Sequence, residues 1–93
     1  LYSTQHAKDI EYVLAHANCQ LIFVGKLDQP ELQKIGIPES MKRVGFPYNK
    51  VIRVDFKWEA VLDEYMPMTE SPLPQPQDLM SIIYTSGTTG NPK

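Results

Sequence analysis

The residues best suited to chemistry lie at the end of the chain, in a loop rich in glycine and hydroxyl side chains. Gly87 and Gly90 leave no side chain between the backbone and a ligand. Hydroxyl donors and one cation complete the segment: Thr85, Ser86, Thr88, Thr89 and Lys93. Exposed N–H groups, hydroxyls and a lysine after a buried strand are typical of a phosphate-binding loop. A flexible surface turn has the same composition, so composition alone leaves both interpretations open.

The spacing of these residues disfavours two other phosphate binders. A Walker A loop has four residues between its glycines and ends in Gly-Lys-Ser/Thr. Here only two residues separate Gly87 from Gly90, and Lys93 follows Pro92. A Gly-x-x-Gly clamp on RNA needs a basic surround. The chain has 9 Lys and Arg against 11 Asp and Glu, a net charge of −2. We therefore expect no nucleic-acid partner.

Metal and membrane functions are also disfavoured. Cys19 is the single cysteine of the 93 residues, which excludes an internal disulfide and a cysteine-based zinc site. His6 and His16 are ten apart, a spacing that fits no helical metal pair. We expect no metal ligand in the chain. The apolar runs, such as residues 21–24, fall far below the roughly 18 residues of a membrane span, so we expect no transmembrane segment.

The elements that must position the loop alternate between helix and strand. Helical spacing of apolar residues predicts a helix over about 5–17, capped by Ser3 or Thr4 and ended by Asn18. A fully buried strand is expected at residues 20–24. Asp28, Pro30 and an acid at 31 are typical of a helix start, and that helix should end before Gly36.

The second half of the chain is expected to be more irregular. Residues 36–47 are predicted to be mostly loop, followed by a strand at 51–56 and a short helix at 58–65. Residues 66–77 hold four of the eight prolines and should form an extended linker. A third strand is expected at 79–84. We predict an α/β fold with a mainly parallel sheet, and ligands bind at the carboxyl ends of such strands.

The domain organisation predicted is one partial domain. It consists of an α/β portion at 1–65, the proline-rich linker at 66–77, and a strand plus phosphate-binding loop at 78–93. The chain has no initiating methionine and ends within the loop. We therefore expect it to be a piece of a longer protein.

Residues 82–93, which read IIYTSGTTGNPK, resemble the AMP-binding signature of the adenylate-forming enzymes at all twelve positions. The start of the chain, Trp58 and Asp78-Leu79 are similar, more loosely, to long-chain fatty acid–CoA ligases of that superfamily. The resemblance implies a fragment of a Rossmann-like, mostly parallel layered subdomain. Two alternatives to a fatty acid ligase stay open: an enzyme that adenylates an aryl or amino acid, or a nucleotide-binding module without catalysis.

The resemblance implies a two-step reaction with ATP, Mg²⁺ held through the phosphates, and coenzyme A as co-substrate. A carboxylate, here a fatty acid, is first adenylated and then transferred to coenzyme A. The loop residues Thr85, Ser86, Gly87, Thr88, Thr89, Gly90 and Lys93 would bind the β- and γ-phosphates. The family's catalytic lysine lies beyond residue 93, so no residue here is expected to be catalytic and the isolated chain should be inactive.

Two expectations concern the whole molecule. Strand edges left uncovered in the isolated piece would favour self-association. The resemblance also implies a cytoplasmic parent enzyme, either free or peripheral at a membrane.

Overall fold

The computed structural model describes residues 1, 5–27, 30–50 and 52–85. Within these ranges the order of elements is helix α1 (Ala7–His16), strand β1 (Leu21–Val24), a 3₁₀-helix (Pro30–Lys34), strand β2 (Lys42–Gly45), strand β3 (Phe56–Lys57) and helix α2 (Trp58–Glu64). The described strands form one parallel sheet in the order β1-β2-β3. The predicted α/β class with a parallel sheet is confirmed.

Helix α1 supplies one wall of the core. Ile10, Val13 and Leu14 recur at helical spacing and are buried, as expected for an amphipathic helix. The helix begins at Ala7 with His6 as its N-cap, and among the described residues no side chain caps it. The predicted capping residues, Ser3 and Thr4, lie outside the described residues. The predicted stop is confirmed, because Asn18 has a φ of +49°, a conformation that asparagine tolerates.

The core lies between α1, the 3₁₀-helix and one face of the sheet. Five buried side chains form it, with Ile22 of β1 packed against them: Ile10, Leu14, Leu32, Ile37 and Met41. Leu32, in the middle of the 3₁₀-helix, is fully buried. The tight turn of a 3₁₀-helix suffices to turn this one side chain inward. The predicted helix start at Asp28 falls outside the described residues, and the helix ends before Gly36 as expected.

Strand β1 differs from the prediction in its burial. Val24 is buried and Ile22 half-buried, but Leu21 and Phe23 are about half exposed, at 46% and 52%. Alternate residues of a strand face opposite sides of the sheet. One side is covered by the core. In the described part of the chain the other side is covered only in part, so the expectation of full burial was wrong.

Strand β2 lies where a loop was predicted. Residues 42–45 read KRVG. Two charged residues and a glycine are not typical of a strand, so residue propensities do not predict one here. Its position between two parallel neighbours stabilises it: Leu21–Val24 pair with Lys42–Gly45, and Val44 and Gly45 pair with Phe56 and Lys57. Arg43 also donates from its side chain to the Ile37 carbonyl oxygen at 3.0 Å.

The strand predicted at 51–56 is shorter and later than expected. Residues 52–55 do not belong to a strand, and β3 comprises only Phe56 and Lys57; Val51 lies outside the described residues. The turn that replaces the strand is held by Asn49, which donates to the Ile52 carbonyl oxygen at 2.7 Å and accepts from the Ile52 N–H at 3.1 Å. A side chain that satisfies both backbone groups competes directly with strand pairing.

The last described segment is irregular. The short helix predicted at 58–65 is confirmed as α2, which lies at the surface. Residues 65–85 contain neither helix nor strand, so the strand predicted at 79–84 was wrong. Leu79, Met80 and Ile83 are 79%, 93% and 80% exposed, and no described neighbouring strand pairs with them. The division into an α/β portion, a linker and a loop-bearing segment stays a prediction.

Among the described helices, none combines the length and apolarity needed to cross a membrane.

Candidate functional site

The predicted phosphate-binding loop begins at Thr85, which is exposed. The other six predicted site residues lie outside the described part of the chain: Ser86, Gly87, Thr88, Thr89, Gly90 and Lys93. What the structure shows near the site is therefore residues 79–84, the leading segment that precedes the loop. The role of the loop residues in binding phosphate stays a prediction.

Tyr84 holds this leading segment against α1. Its hydroxyl lies 2.7 Å from Nδ1 of His16, and the two rings meet edge to face at 5.8 Å with planes 84° apart. The two residues are 68 positions apart in the sequence, so this contact closes a long stretch of chain. The residue that precedes the loop is thereby fixed to the last turn of α1.

The imidazole of His16 is itself supported by the helix that carries it. Tyr12 lies one helical turn earlier, and its ring stacks on His16 at 5.5 Å with planes 17° apart. Residues four apart on a helix are neighbours on its surface. The result is a row of three rings that runs from Tyr12 through His16 to Tyr84.

The leading segment also borders an open cavity. Residues 79–84 face Val13, Ala17 and Cys19 across a space of about 580 Å³. Ala17 and Cys19 belong to the turn before β1, so the segment lies near the amino end of that strand. The expectation that the loop leaves the carboxyl end of a described strand was wrong, because residues 79–85 form no strand.

At the carboxyl ends of β2 and β3 the structure has a second cavity, of about 460 Å³. It is lined by Gly45, Phe46, Pro47, Asn49, Val54, Lys57 and Glu59. Lys57 contributes a cation and Glu59 a carboxylate, so the lining has no net charge to attract an anion. The observed geometry gives this cavity no phosphate-binding character.

No cluster of three or more His, Cys, Asp or Glu residues that could hold a metal ion occurs among residues 1, 5–27, 30–50 and 52–85.

Sequence reasoning missed the contribution of His16 and Tyr84. From the sequence, His16 was considered only as a metal ligand. His16 is exposed, yet it contacts two tyrosines. The spacing of Tyr12 and His16 was a usable signal, since it places the rings side by side. The pairing with Tyr84 has no sequence signal, because it joins residues from opposite ends of the chain.

A parallel α/β unit that leads into a loop rich in glycine and hydroxyls is typical of phosphate- and nucleotide-binding domains. A family model described as "AMP-binding enzyme" matches residues 1–93, the whole chain. The chain belongs to this family, which confirms the resemblance seen in residues 82–93.

Two curated relatives are similar to the whole chain. Long chain acyl-CoA synthetase 5 of Arabidopsis thaliana is 33% identical over 112 residues, and Long chain acyl-CoA synthetase 4 of the same plant is 27% identical over 113. Each match covers 100% of this chain and 16% of the relative. The chain thus spans about one sixth of their length. No solved structure matches the chain significantly.

Proposed function

We propose that this chain is the part of an ATP-dependent long-chain fatty acid–CoA ligase that binds the β- and γ-phosphates of ATP. The observation that carries the proposal is the twelve-residue signature at 82–93, within a family match over the whole chain. The two plant relatives, both called long chain acyl-CoA synthetases, support the choice of a fatty acid as substrate.

The proposed reaction has two steps. A carboxylate oxygen of the fatty acid attacks the α-phosphorus of ATP, and the bond from that phosphorus to the pyrophosphate oxygen breaks. The coenzyme A thiolate then attacks the acyl carbon, and the bond to AMP breaks to leave the thioester. Mg²⁺ would be held by the phosphates rather than by side chains of this chain.

The contribution of the loop follows from the charge that the first step creates. Pyrophosphate gains negative charge as it leaves, and donors already aimed at its oxygens lower the barrier. Thr85, Ser86, Thr88 and Thr89 would donate hydrogen bonds. Gly87 and Gly90 would permit close approach, and Lys93 would offset the charge.

Exchange of labelled pyrophosphate into ATP, dependent on a carboxylate, tests this proposal in the full-length protein. We expect exchange to be greatest with C12–C18 fatty acids. Removal of one donor of this kind costs a factor of about 10²–10³, so Thr88→Ala and Lys93→Ala should reduce exchange by about that factor. Lys8→Ala, which removes an exposed lysine of α1, is the matched control and should leave exchange unchanged.

Other outcomes identify the alternatives. Exchange driven only by aryl or amino acids would replace the fatty acid by another carboxylate. ATP binding without exchange by any acid would leave a nucleotide-binding module. Turnover by the isolated 93 residues would overturn the proposal that the catalytic groups lie outside this chain.

Two further proposals concern the setting of the enzyme. We propose that the parent acts in the cytoplasm, free or peripheral at a membrane, which cell fractionation with and without a salt wash tests.

We also propose that the isolated chain self-associates through its uncovered strand edges. The small-molecule partners of the parent enzyme would be ATP, fatty acid and coenzyme A.

A further inference from the structure

The core contains an apolar cavity of about 240 Å³ beside β1 and the residues that follow this strand. Buried side chains from α1, the 3₁₀-helix and the sheet form part of its wall: Ile10, Leu14, Val24, Leu32 and Ile37. Among the described residues that line it, only Lys26 has a charged side chain. A space with such a lining is suited to an apolar ligand rather than to water.

The size and the lining of this cavity indicate the shape of that ligand. A cavity of about 150 Å³ walled by leucine, isoleucine and phenylalanine stays dry and binds benzene. The cavity beside β1 is larger, and by the same scale it has room for about eight to ten carbons. Its described apolar side chains are aliphatic except for Phe23. An alkyl chain therefore fits the lining better than a stacked aromatic ligand does.

A basic cleft of about 370 Å³ adjoins the apolar cavity. It is lined by Lys26, Leu27, Tyr48, Asn49 and Lys50, and the first two of these residues line the apolar cavity as well. Two of the described lining residues are cations and none is an acid, so the cleft is suited to an anion. Lys26 has a further interaction of its own, and we therefore expect Lys50 to contribute more to binding.

The turn after β2 holds the basic cleft and the apolar cavity side by side. Asn49 lines the cleft and Ile52 lines the cavity. The Asn49 side chain donates to the Ile52 carbonyl oxygen at 2.7 Å and accepts from the Ile52 N–H at 3.1 Å. The cleft is lined by residues that follow β1 and β2, and the carboxyl ends of parallel strands are where such sheets bind ligands.

We propose that the cavity and the cleft together bind an anionic amphiphile. Its alkyl tail, of about eight to ten carbons, lies in the apolar cavity, and its phosphate or carboxylate head group lies in the cleft with Lys26 and Lys50. The tail supplies most of the affinity, because its methylenes leave water. The lysines are exposed, so they contribute less affinity and mainly select the sign of the head group. This inference does not rest on the proposed function.

Calorimetry on the full-length protein with alkyl phosphates, from butyl to dodecyl, tests the binding of the tail. Each ligand is used below the concentration at which it forms micelles. Each methylene that enters the cavity should tighten binding about three- to fourfold. The gain should end at about eight to ten carbons, where the cavity is full. A gain that continues unchanged to dodecyl phosphate, or no binding at any length, would overturn the proposal.

A variant that fills the cavity tests its location. Ile35 lines the cavity and is half-buried, so Ile35→Phe should weaken the binding of octyl phosphate about tenfold, because the ring takes the space of several methylenes. Leu62→Phe adds the same ring at a residue of α2 that is 60% exposed, and it should bind as the wild type does. Equal affinity in both variants would contradict the assignment of the tail to this cavity.

The head group is tested by changing its charge and that of the cleft. Octyltrimethylammonium has the same tail with a cation and should bind at least about fivefold more weakly than octyl phosphate. Lys50→Gln should weaken octyl phosphate about two- to fivefold and leave 1-octanol unchanged. Lys57→Gln removes an exposed lysine of the other cavity and is the control. Equal affinity for the anionic and cationic ligands would overturn the assignment of the head group.

Photolabelling of the wild-type protein locates the tail without any substitution. Octyl phosphate with a diazirine at the end of its tail should label peptides within residues 10–37, which supply most of the cavity wall. Labelling confined to other parts of the full-length protein would overturn the proposal. Octanoate in place of octyl phosphate distinguishes two sources of the anion: tighter binding of the phosphate indicates a phosphate ester, and tighter binding of octanoate indicates a fatty acid.

Discussion

Gly45, at the end of β2, occupies a position with no room for a side chain. A Cβ built there would lie 2.9 Å and 3.1 Å from the two γ-carbons of Val54, and 3.3 Å from the side-chain nitrogen of Asn49. Real Cβ atoms essentially never come within 3.0 Å of another atom, and contacts of 3.1–3.3 Å are tighter than most. The glycine therefore allows Asn49 and Val54 to lie close to the end of the central strand.

Gly45→Ala should accordingly destabilise the protein. Val54 and Asn49 would have to shift, and overpacking of this kind costs about 1–3 kcal/mol. Gly25→Ala is the matched control, because its Cβ would meet its nearest neighbour, Cδ2 of Phe46, at an ordinary 3.9 Å. Thermal unfolding of the full-length variants measures the difference. Equal melting temperatures for the two variants would contradict the tight packing at Gly45.

At the scale of elements, strands β2 and β3 are joined by a contact that extends their short pairing. The N–H of Asp55 donates to the Arg43 carbonyl oxygen at 2.9 Å, and the Asp55 carboxylate accepts from the Arg43 N–H at 2.9 Å. A side chain thus takes the place that a further strand residue would otherwise fill. The two-residue β3 is held in register by this pair of hydrogen bonds.

Asp55→Ala should weaken the attachment of β3. The lost hydrogen bond has a charged acceptor but lies at an exposed residue, so we expect a cost of about 1 kcal/mol. Asp63→Ala removes the same charge from exposed α2 and serves as the control. Hydrogen exchange at the amides of Phe56 and Lys57 should rise in Asp55→Ala alone. Unchanged exchange there would show that the backbone pairing suffices.

The sequence predicted the elements that local apolar residues mark and missed those that depend on neighbouring strands. Helices α1 and α2 follow from the spacing of their apolar residues, and strand β1 follows from a short apolar run. Strand β2 is stabilised by two flanking strands that a local pattern does not contain. Residues 79–84 show the converse, since an apolar run suggested a strand and no described strand pairs with it.

The same difference between local pattern and tertiary contact applies to the candidate site. A local motif indicated the loop at 85–93, because its chemistry depends on residue types close together in sequence. The contact of His16 with Tyr84 depends on how the chain folds back on itself, and no local pattern encodes it.

At the scale of the whole molecule, the sheet has one face that is incompletely covered. Phe23, Val44 and Phe56 are register partners across the three described strands, and Phe23 and Phe56 are 52% and 41% exposed. Phe46 and Trp58 pack beside Phe23 at ring distances of 5.8 Å and 6.1 Å. Parallel sheets are normally covered on both faces. In the described part of the chain, this face of the sheet has only that partial cover.

The isolated chain should therefore associate with itself, since a second copy can cover the Phe23 face and pair with the edge of β1. Sedimentation at increasing concentration should show species heavier than the 10.6 kDa monomer. Phe23→Lys places a charge on this face and should shift the distribution toward monomer. Leu73→Lys introduces the same charge at a residue that is 88% exposed and lies in the proline-rich segment, so it should not. A monomer at every concentration would show that the partial cover by Phe46 and Trp58 is sufficient.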